Sequence, residues 1–386
     1  MGDQPENRRG FMKAFAGLAA LAGPAVRASQ TASPGAPATP APRGRPRIRF
    51  AVIGLNHGHI YGQVAAAQAG GGELVSFHAK EDDLAAAFLK RFPDAKRVKE
   101  EREVLEDPGL ALVLSASIPS ERGPLGIRAM RHGKDFMVDP PGLTTLEQHA
   151  EARRVQQETG RIYSIFYGES LGNRAVVRAN ELVKAGAIGR VVQTIGLGPH
   201  RASPATRPEW FWDRKYYGGI LCDIASHQAY HFLSFTGSTR AEVVAAQVAN
   251  VRHAERPEFE DFGDVVWRGD GGAGYVRVDW FTPDGLSTWG DGRLTILGTD
   301  GYVEVRTNVD IAGRKGPEHL FLVDGKETRY VDCSEQKLSY GERLVSDVLD
   351  RTETVMPQAR CFLAMELVLR AQAGAQRVPF GERRPS

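Results

Sequence analysis

The feature that most constrains this chain is a short apolar run that ends on glycine and opens a regular alternation. Ile48-Arg49-Phe50-Ala51-Val52-Ile53-Gly54 is a short apolar run ending at glycine, which suits a buried parallel strand. A helical stretch follows at 60–69, then a strand at 74–77, a helix at 84–92, a strand at 111–115, a helix at 123–132, a strand at 135–138, a helix at 146–160 and a strand at 162–166. Strands alternating with helices predict an α/β fold, a Rossmann-type doubly wound parallel sheet. Such a fold places its ligand at the glycine turn after the first strand, where helix N–H groups face a phosphate.

The texture changes after residue 168. A helix is expected at 176–185, and strands at 191–196, 242–251, 261–268, 273–281, 293–297 and 302–306. Tyr275-Val276-Arg277-Val278-Asp279-Trp280 alternates, as a half-buried strand does. Helices are expected at 219–236 and 357–375. This half reads as a C-terminal α/β domain with an open, mostly antiparallel sheet. The expected domains are therefore 47–168, with the parallel sheet, and 169–378, with the open sheet, and 379–386 is a tail.

Neither unit needs the first 46 residues. Arg8-Arg9 precede the apolar run Ala14–Ala25 and the small-residue stretch Val26-Arg27-Ala28, the pattern of a twin-arginine export signal over 1–28. That run is too short for a permanent membrane span. Residues 29–46, rich in Pro, Ala, Ser and Thr, read as a disordered linker. The twin-arginine machinery is thus an expected partner, and a periplasmic or extracytoplasmic location is expected. The chain carries a formal charge of +2, all of it in the signal, so the remainder is formally neutral. That excludes a basic nucleic-acid footprint. Three cysteines, Cys222, Cys333 and Cys361, form no C-x-x-C pair and no disulfide framework is expected.

The loop Gly54-Leu55-Asn56-His57-Gly58-His59 only partly matches G-x-G-x-x-G: Gly54 fits, Asn56 and His59 occupy the other glycine positions, and Gly58 lies one residue early. At the end of the second strand Ala79 stands where an acid would hold the adenosine ribose, and Lys80 could meet a 2′-phosphate.

Four stretches carry a resemblance: Ala51–Gly58, Gly133-Lys134-Asp135-Phe136-Met137-Val138-Asp139-Pro140-Pro141, Leu182–Val191, and Tyr217-Gly218-Gly219-Ile220-Leu221-Cys222-Asp223-Ile224-Ala225-Ser226-His227. Over almost all of its length past the signal, the chain resembles the Gfo/Idh/MocA oxidoreductases, with Leu294–Gly301 similar to a strand–turn of their C-terminal sheet. The resemblance implies NAD or NADP, held tightly in an exported protein, a sugar, cyclitol or similar polyol as substrate, and a homo-oligomer formed through the C-terminal sheet. It implies His227 as acid/base and Asp223 as its positioning partner, four residues apart on one helix face. Cofactor contacts fall on Gly54, Asn56, His57, Gly58, His59, Lys80, Ser117, Asp139 and Pro140. Substrate contacts fall on Glu169, His200, Arg201, Trp212, Lys215 and His231, beside the aromatic cluster Trp210, Phe211, Trp212, Tyr216 and Tyr217. Asp223, His227 and His231 share a spacing that metals use, but no further ligand cluster is readable, and no metal is expected.

Two departures from the family pattern stand out. Pro140 occupies the place of the lysine in the family's Glu-Lys-Pro motif, and proline brings neither charge nor N–H. Ser117-Ile118-Pro119 replaces a Thr-Pro-Asn turn. The expected activity is hydride transfer from an alcohol. The competing readings are a non-catalytic or weakly catalytic sugar-binding protein on the same fold and a glycosidase using a retained nicotinamide.

Overall fold

The computed structural model of the chain describes residues 47–379. The export signal and the linker expected from the sequence lie outside the described residues. So does the tail after Pro379.

The first sheet is built from β1 (Ile48–Ile53), β2 (Gly72–His78), β3 (Lys96–Arg97), β4 (Leu112–Ser115), β5 (Asp135–Val138) and β6 (Tyr163–Ile165). Its order is β3-β2-β1-β4-β5-β6 and every pairing is parallel. Between the strands run α1 (Ile60–Ala69), α2 (Asp82–Arg91), α3 (Glu101–Leu105), α4 (Pro119–Arg131) and α5 (Leu146–Thr159). β4 and β5 are buried at every position, as strands covered on both faces must be. The strand order reverses between β1 and β4, the switch point at which doubly wound folds bind ligands. α4 begins four residues earlier than its apolar pattern suggested, because Pro119 is well suited to a first helical turn.

Two short helices follow, α6 (Gly168–Leu171) and α7 (Arg174–Lys184), and then the second sheet. It contains β7 (Val191–Pro199), β8 (Ala241–Ala249), β9 (Phe262–Gly269), β10 (Ala273–Asp279), β11 (Arg293–Gly298), β12 (Gly301–Arg306), β13 (His319–Asp324), β14 (Thr328–Val331) and β15 (Gln376–Arg377). The order is β14-β13-β12-β11-β7-β10-β9-β8-β15, antiparallel except at β7–β10 and β8–β15. The remaining helices are α8 (Arg214–Tyr217), α9 (Ile220–Asp223), α10 (Ala225–Thr236), α11 (Tyr340–Asp350) and α12 (Gln358–Gly374). The single helix expected over 219–236 is thus two segments meeting at Ile224.

α10 lies against β7 and β10, where glycine admits it: a Cβ on Gly196 or Gly198 would press into the Gln228 side chain. On the opposite face of the sheet Val266, Leu297 and Tyr302 stay exposed. α11 and α12 return to the first sheet. Gln358 Oε1 accepts from the Tyr163 amide at 2.8 Å, and Ser164 Oγ lies 2.8 Å from the Tyr340 hydroxyl. One continuous apolar core therefore runs from Phe50 and Phe136 to Phe232 and Trp267. Each large side chain buried in it contributes about 1.5–3 kcal/mol, which fixes the two sheets against each other. Cys222, Cys333 and Cys361 are free and buried.

Candidate active site

The turn after β1 is locked by its backbone. Gly54 donates to the His78 carbonyl at 2.9 Å and accepts from Ala116 at 3.2 Å, and the His57 amide donates to Ala116 at 3.0 Å. Gly54 sits at φ +84°, and a Cβ there would lie 2.4 Å from Ser117 Cβ. Only glycine fits. Ser117 is accordingly turned inward, its hydroxyl accepting from Ser115 Oγ at 3.1 Å, so it supports the turn from beneath. Gly58 faces open space.

Asn56 is oriented by Glu81, whose Oε1 accepts from the amide Nδ2 at 2.8 Å. Ala79, where an acid was sought, is buried. The carboxylate that reaches the turn comes from two residues further on, a residue the sequence reading missed. Lys80 is engaged elsewhere, donating to Glu121 at 2.9 Å on the surface.

His57 and His59 converge on Asp139 at the end of β5. Each presents Nδ1 2.8 Å from a carboxylate oxygen, His57 to Oδ2 and His59 to Oδ1. Arg122 completes the group, with Nη2 3.0 Å from Oδ2. It is 1% exposed, and it also donates to the carbonyls of Ser117 and Pro140 at 2.7 Å. The Pro140–Pro141 peptide is cis and Pro140 is buried. Burial alone would raise the Asp139 carboxyl, but His59, His57 and Arg122 outweigh it and hold it well below the usual range. Burial also works against charge on both imidazoles. It lowers His57, aided by the charge of His59. At His59 the Asp139 carboxylate overrides it, so His59 is raised.

The facing wall is built on α9, α10 and the segment after β6. Burial pushes Asp223 up to about 7, against the pull of Arg122 and Arg207. Burial, with the charges of His59 and His200 beside it, holds His227 well below its ordinary value, so its imidazole is neutral. No hydrogen bond reaches His227 Nδ1, so Asp223 does not orient the ring through that atom. Its edge meets Tyr167, ring centroids 5.8 Å apart. Glu169 accepts from Gln228 Nε2 at 2.9 Å, and burial raises it to about 7. Burial lowers His200 to about 3; its Nδ1 lies 3.1 Å from the Gly198 carbonyl and its ring 4.4 Å from Trp289. His231, a turn beyond His227, is lowered by burial to about 4. The charge of His59 is felt at Asp223, His227, Glu169 and His200, so the β1 turn and the α9–α10 wall share one site.

Three expected substrate residues lie elsewhere. Arg201 spends its guanidinium on the carbonyls of Pro283, Leu286 and Thr288, pinning a loop. Lys215 is exposed, its ammonium 5.3 Å from the Tyr216 ring centre. Trp212 is buried against Phe211 and Phe259, at 5.1 and 4.8 Å, so this end of the aromatic cluster is core rather than a stacking platform. In their place the structure brings in Arg207, stacked 4.3 Å over Phe211 with its charge acting on Asp223.

With this geometry established, known proteins identify the architecture. Residues 176–304 match the GFO/IDH/MocA C-terminal domain. A crystal structure of an oxidoreductase-class protein of unproven activity from Erwinia carotovora atroseptica is 43% identical, with a TM-score of 0.84; the match covers 86% of this chain and 100% of that one. The scyllo-inositol 2-dehydrogenase (NAD(+)) of Bacillus subtilis is 26% identical over 293 residues, 72% of this chain and 80% of its own. A 3-ketoreductase from Actinomadura kijaniata, solved with NADP and TDP-benzene, shares the fold at TM-score 0.69 and 17% identity, over 87% of this chain and 100% of its own. The chain belongs to the Gfo/Idh/MocA family of oxidoreductases.

Proposed function

We propose that this protein is a nicotinamide-dependent oxidoreductase that moves a hydride between the dinucleotide and a cyclic polyol or sugar-like alcohol. The observation that carries the reading is that the turn opened by Gly54 reaches, through His59, the electrostatic environment of the neutral His227 imidazole. The turn fits a dinucleotide: its glycine admits no Cβ, a helix N-terminus follows, and Asn56 and Glu81 offer polar groups beside it. Gly54, Asn56 and Gly58 would border the pyrophosphate and Glu81 the adenosine ribose. A bound nicotinamide supplies the hydride acceptor. His227, being neutral, can take the proton that the alcohol releases, and Asp223 and Glu169 stand within its electrostatic environment to hold hydroxyls. A carboxylate at the ribose favours NAD over NADP, against the reading drawn from Lys80. The scyllo-inositol dehydrogenase relative supports a cyclitol-like substrate.

Pro140 favours a second reading, a weakly catalytic polyol-binding protein, because the cation of the family motif is absent from that position. Titration of purified protein with NADH, followed by fluorescence, and turnover of cyclitols with NAD separate the two. Dinucleotide binding with turnover supports the enzyme; polyol binding with neither overturns it. We extend the proposal to export through the twin-arginine route, on the Arg8-Arg9 motif, and to a homo-oligomer joined through the helix-free face bearing Val266, Leu297 and Tyr302. Fractionation of producing cells and light scattering of the purified protein test these two extensions.

A further inference from the structure

Among the described residues, one group of imidazole and carboxylate side chains brings three ligand atoms together: His57, His59 and Asp139 each offer one, all within 4.8 Å of one another. We propose that these three residues form a binding site for a divalent transition-metal ion, with Zn²⁺ as the best match to its donors. The inference goes beyond hydride transfer and stands whether or not that reading holds.

Three properties separate this group from an ordinary hydrogen-bonded cluster. The first is convergence. Both rings turn the same atom, Nδ1, to opposite oxygens of one carboxylate, and their centroids lie 4.2 Å apart. The second is preorganisation by surrounding groups. Arg122 grips Oδ2 and is itself fixed by carbonyls from Ser117 and from Asp139 to Pro141. Such outer contacts orient ligands and tune a bound ion. The third is access. Asp139 is 1% exposed, while the His57 and His59 side chains are 36% and 57% exposed. The carboxylate forms the floor and the imidazoles an open rim. Three protein ligands with an open side are the pattern of a reactive zinc site, which keeps a position for water or substrate, rather than of a closed structural one. Two imidazoles with a carboxylate suit Zn²⁺ and its first-row neighbours and do not suit Ca²⁺ or Mg²⁺, which take oxygen ligands. Asp223, His227 and Glu169 lie within electrostatic reach of His59.

The test uses the full chain, stripped with a chelator and titrated with Zn²⁺ by calorimetry and with Co²⁺ by visible absorption. The expected result is one ion per chain, with Co²⁺ bands of a low-symmetry nitrogen–oxygen site. His59→Ala and His57→Ala should each weaken Zn²⁺ binding by about tenfold or more. Absence of saturable binding in the wild-type chain, or binding that both variants leave unchanged, overturns the proposal. The wild-type Co²⁺ spectrum decides the matter even where a variant does not fold. Dinucleotide affinity, measured separately on the stripped protein, reports on the oxidoreductase reading alone.

Discussion

Asn56 and Glu81 meet across the mouth of the first parallel strand, the amide nitrogen of one donating to the carboxylate of the other at 2.8 Å. The contact fixes a side chain on the turn that follows β1, and it leaves the second carboxylate oxygen for another donor. We therefore expect Glu81 to accept from a ribose hydroxyl and to repel a 2′-phosphate. Glu81→Gln should weaken NADH binding by about tenfold, the range of one charge-assisted hydrogen bond, and weaken NADPH binding less or not at all. Fluorescence titration of both nucleotides with both proteins measures the change in ratio. An unchanged ratio would remove Glu81 from the cofactor contacts.

Besides their hydrogen bonds and apolar packing, the C-terminal helices are tied to the first sheet by an ion pair. Arg351 donates to both oxygens of Asp135, at 2.6 and 2.7 Å, and Asp135 also accepts from the Ile162 amide at 2.8 Å. Asp135 is 1% exposed and Arg351 about a third. Removing the arginine leaves a buried carboxylate without its counter-charge. Breaking a fully buried pair costs about 3–5 kcal/mol, and the exposure of Arg351 moves the expectation for Arg351→Ala to the low end or below, about 2–3 kcal/mol. Urea denaturation should show a lower midpoint at an unchanged slope.

How far the sequence carried the fold, and where it stopped, follows from the range of the interactions. β1, β4 and β5 announce themselves because their burial on both faces appears as local apolar runs. β3 does not, since it consists of the exposed pair Lys96-Arg97, whose pairing with β2 has no local apolar pattern behind it. α11 is missing from the expected helices although its buried Tyr340, Leu344, Val345 and Val348 recur at helical spacing; only its packing against α1, far off in the chain, is beyond local reach. The same limit governs the site. Asp223 and His227 are legible as a motif within one turn-and-a-bit of helix. The meeting of His57 and His59 with Asp139 spans 82 and 80 residues, and no local pattern encodes it. The role of the aromatic cluster is illegible for a related reason. Composition cannot distinguish a Trp212 packed on Phe259 from one presented to a ligand.

Glu169 supplies a pH-dependent signature. Its carboxyl rises from an ordinary 4.5 to about 7 because burial disfavours the charged form. A raised folded value means that its stability contribution is complete below about 4.5 and is lost as pH climbs through about 7. At about 1.4 kcal/mol per unit, the loss is at most about 3.5 kcal/mol. Glu169→Gln mimics the protonated state and can keep the bond from Gln228. The variant should therefore be more stable than wild type at pH about 8, with the advantage disappearing near pH about 4.5. His59 loses the raising effect of the Glu169 charge in the variant, while the buried histidines not coupled to Glu169 titrate alike in both proteins and cancel in the difference. Denaturation curves across this range check the slope, and a constant difference would place the Glu169 carboxyl in an ordinary environment.

Pro140 allows the sharpest test of chemistry. Its carbonyl accepts from Arg122 at 2.7 Å, a bond to the main chain that survives any side-chain replacement. The strand end should thus hold its position in Pro140→Lys, and the new ammonium would stand beside Asp139, a carboxylate held ionised. If Asp223, His227 and Glu169 form a reactive centre lacking only a cation, the lysine supplies the charge where negative charge grows on the oxygen. An electrostatic donor at such a point is worth on the order of a hundred- to a thousandfold in rate. We expect kcat for oxidation of a cyclitol with NAD to rise by about a hundredfold or more while KM changes little, because the contact strengthens as charge develops. Steady-state kinetics of both proteins decides. A variant that folds and binds NADH as the parent does, yet turns over no faster, would locate the protein's use in binding rather than in hydride transfer.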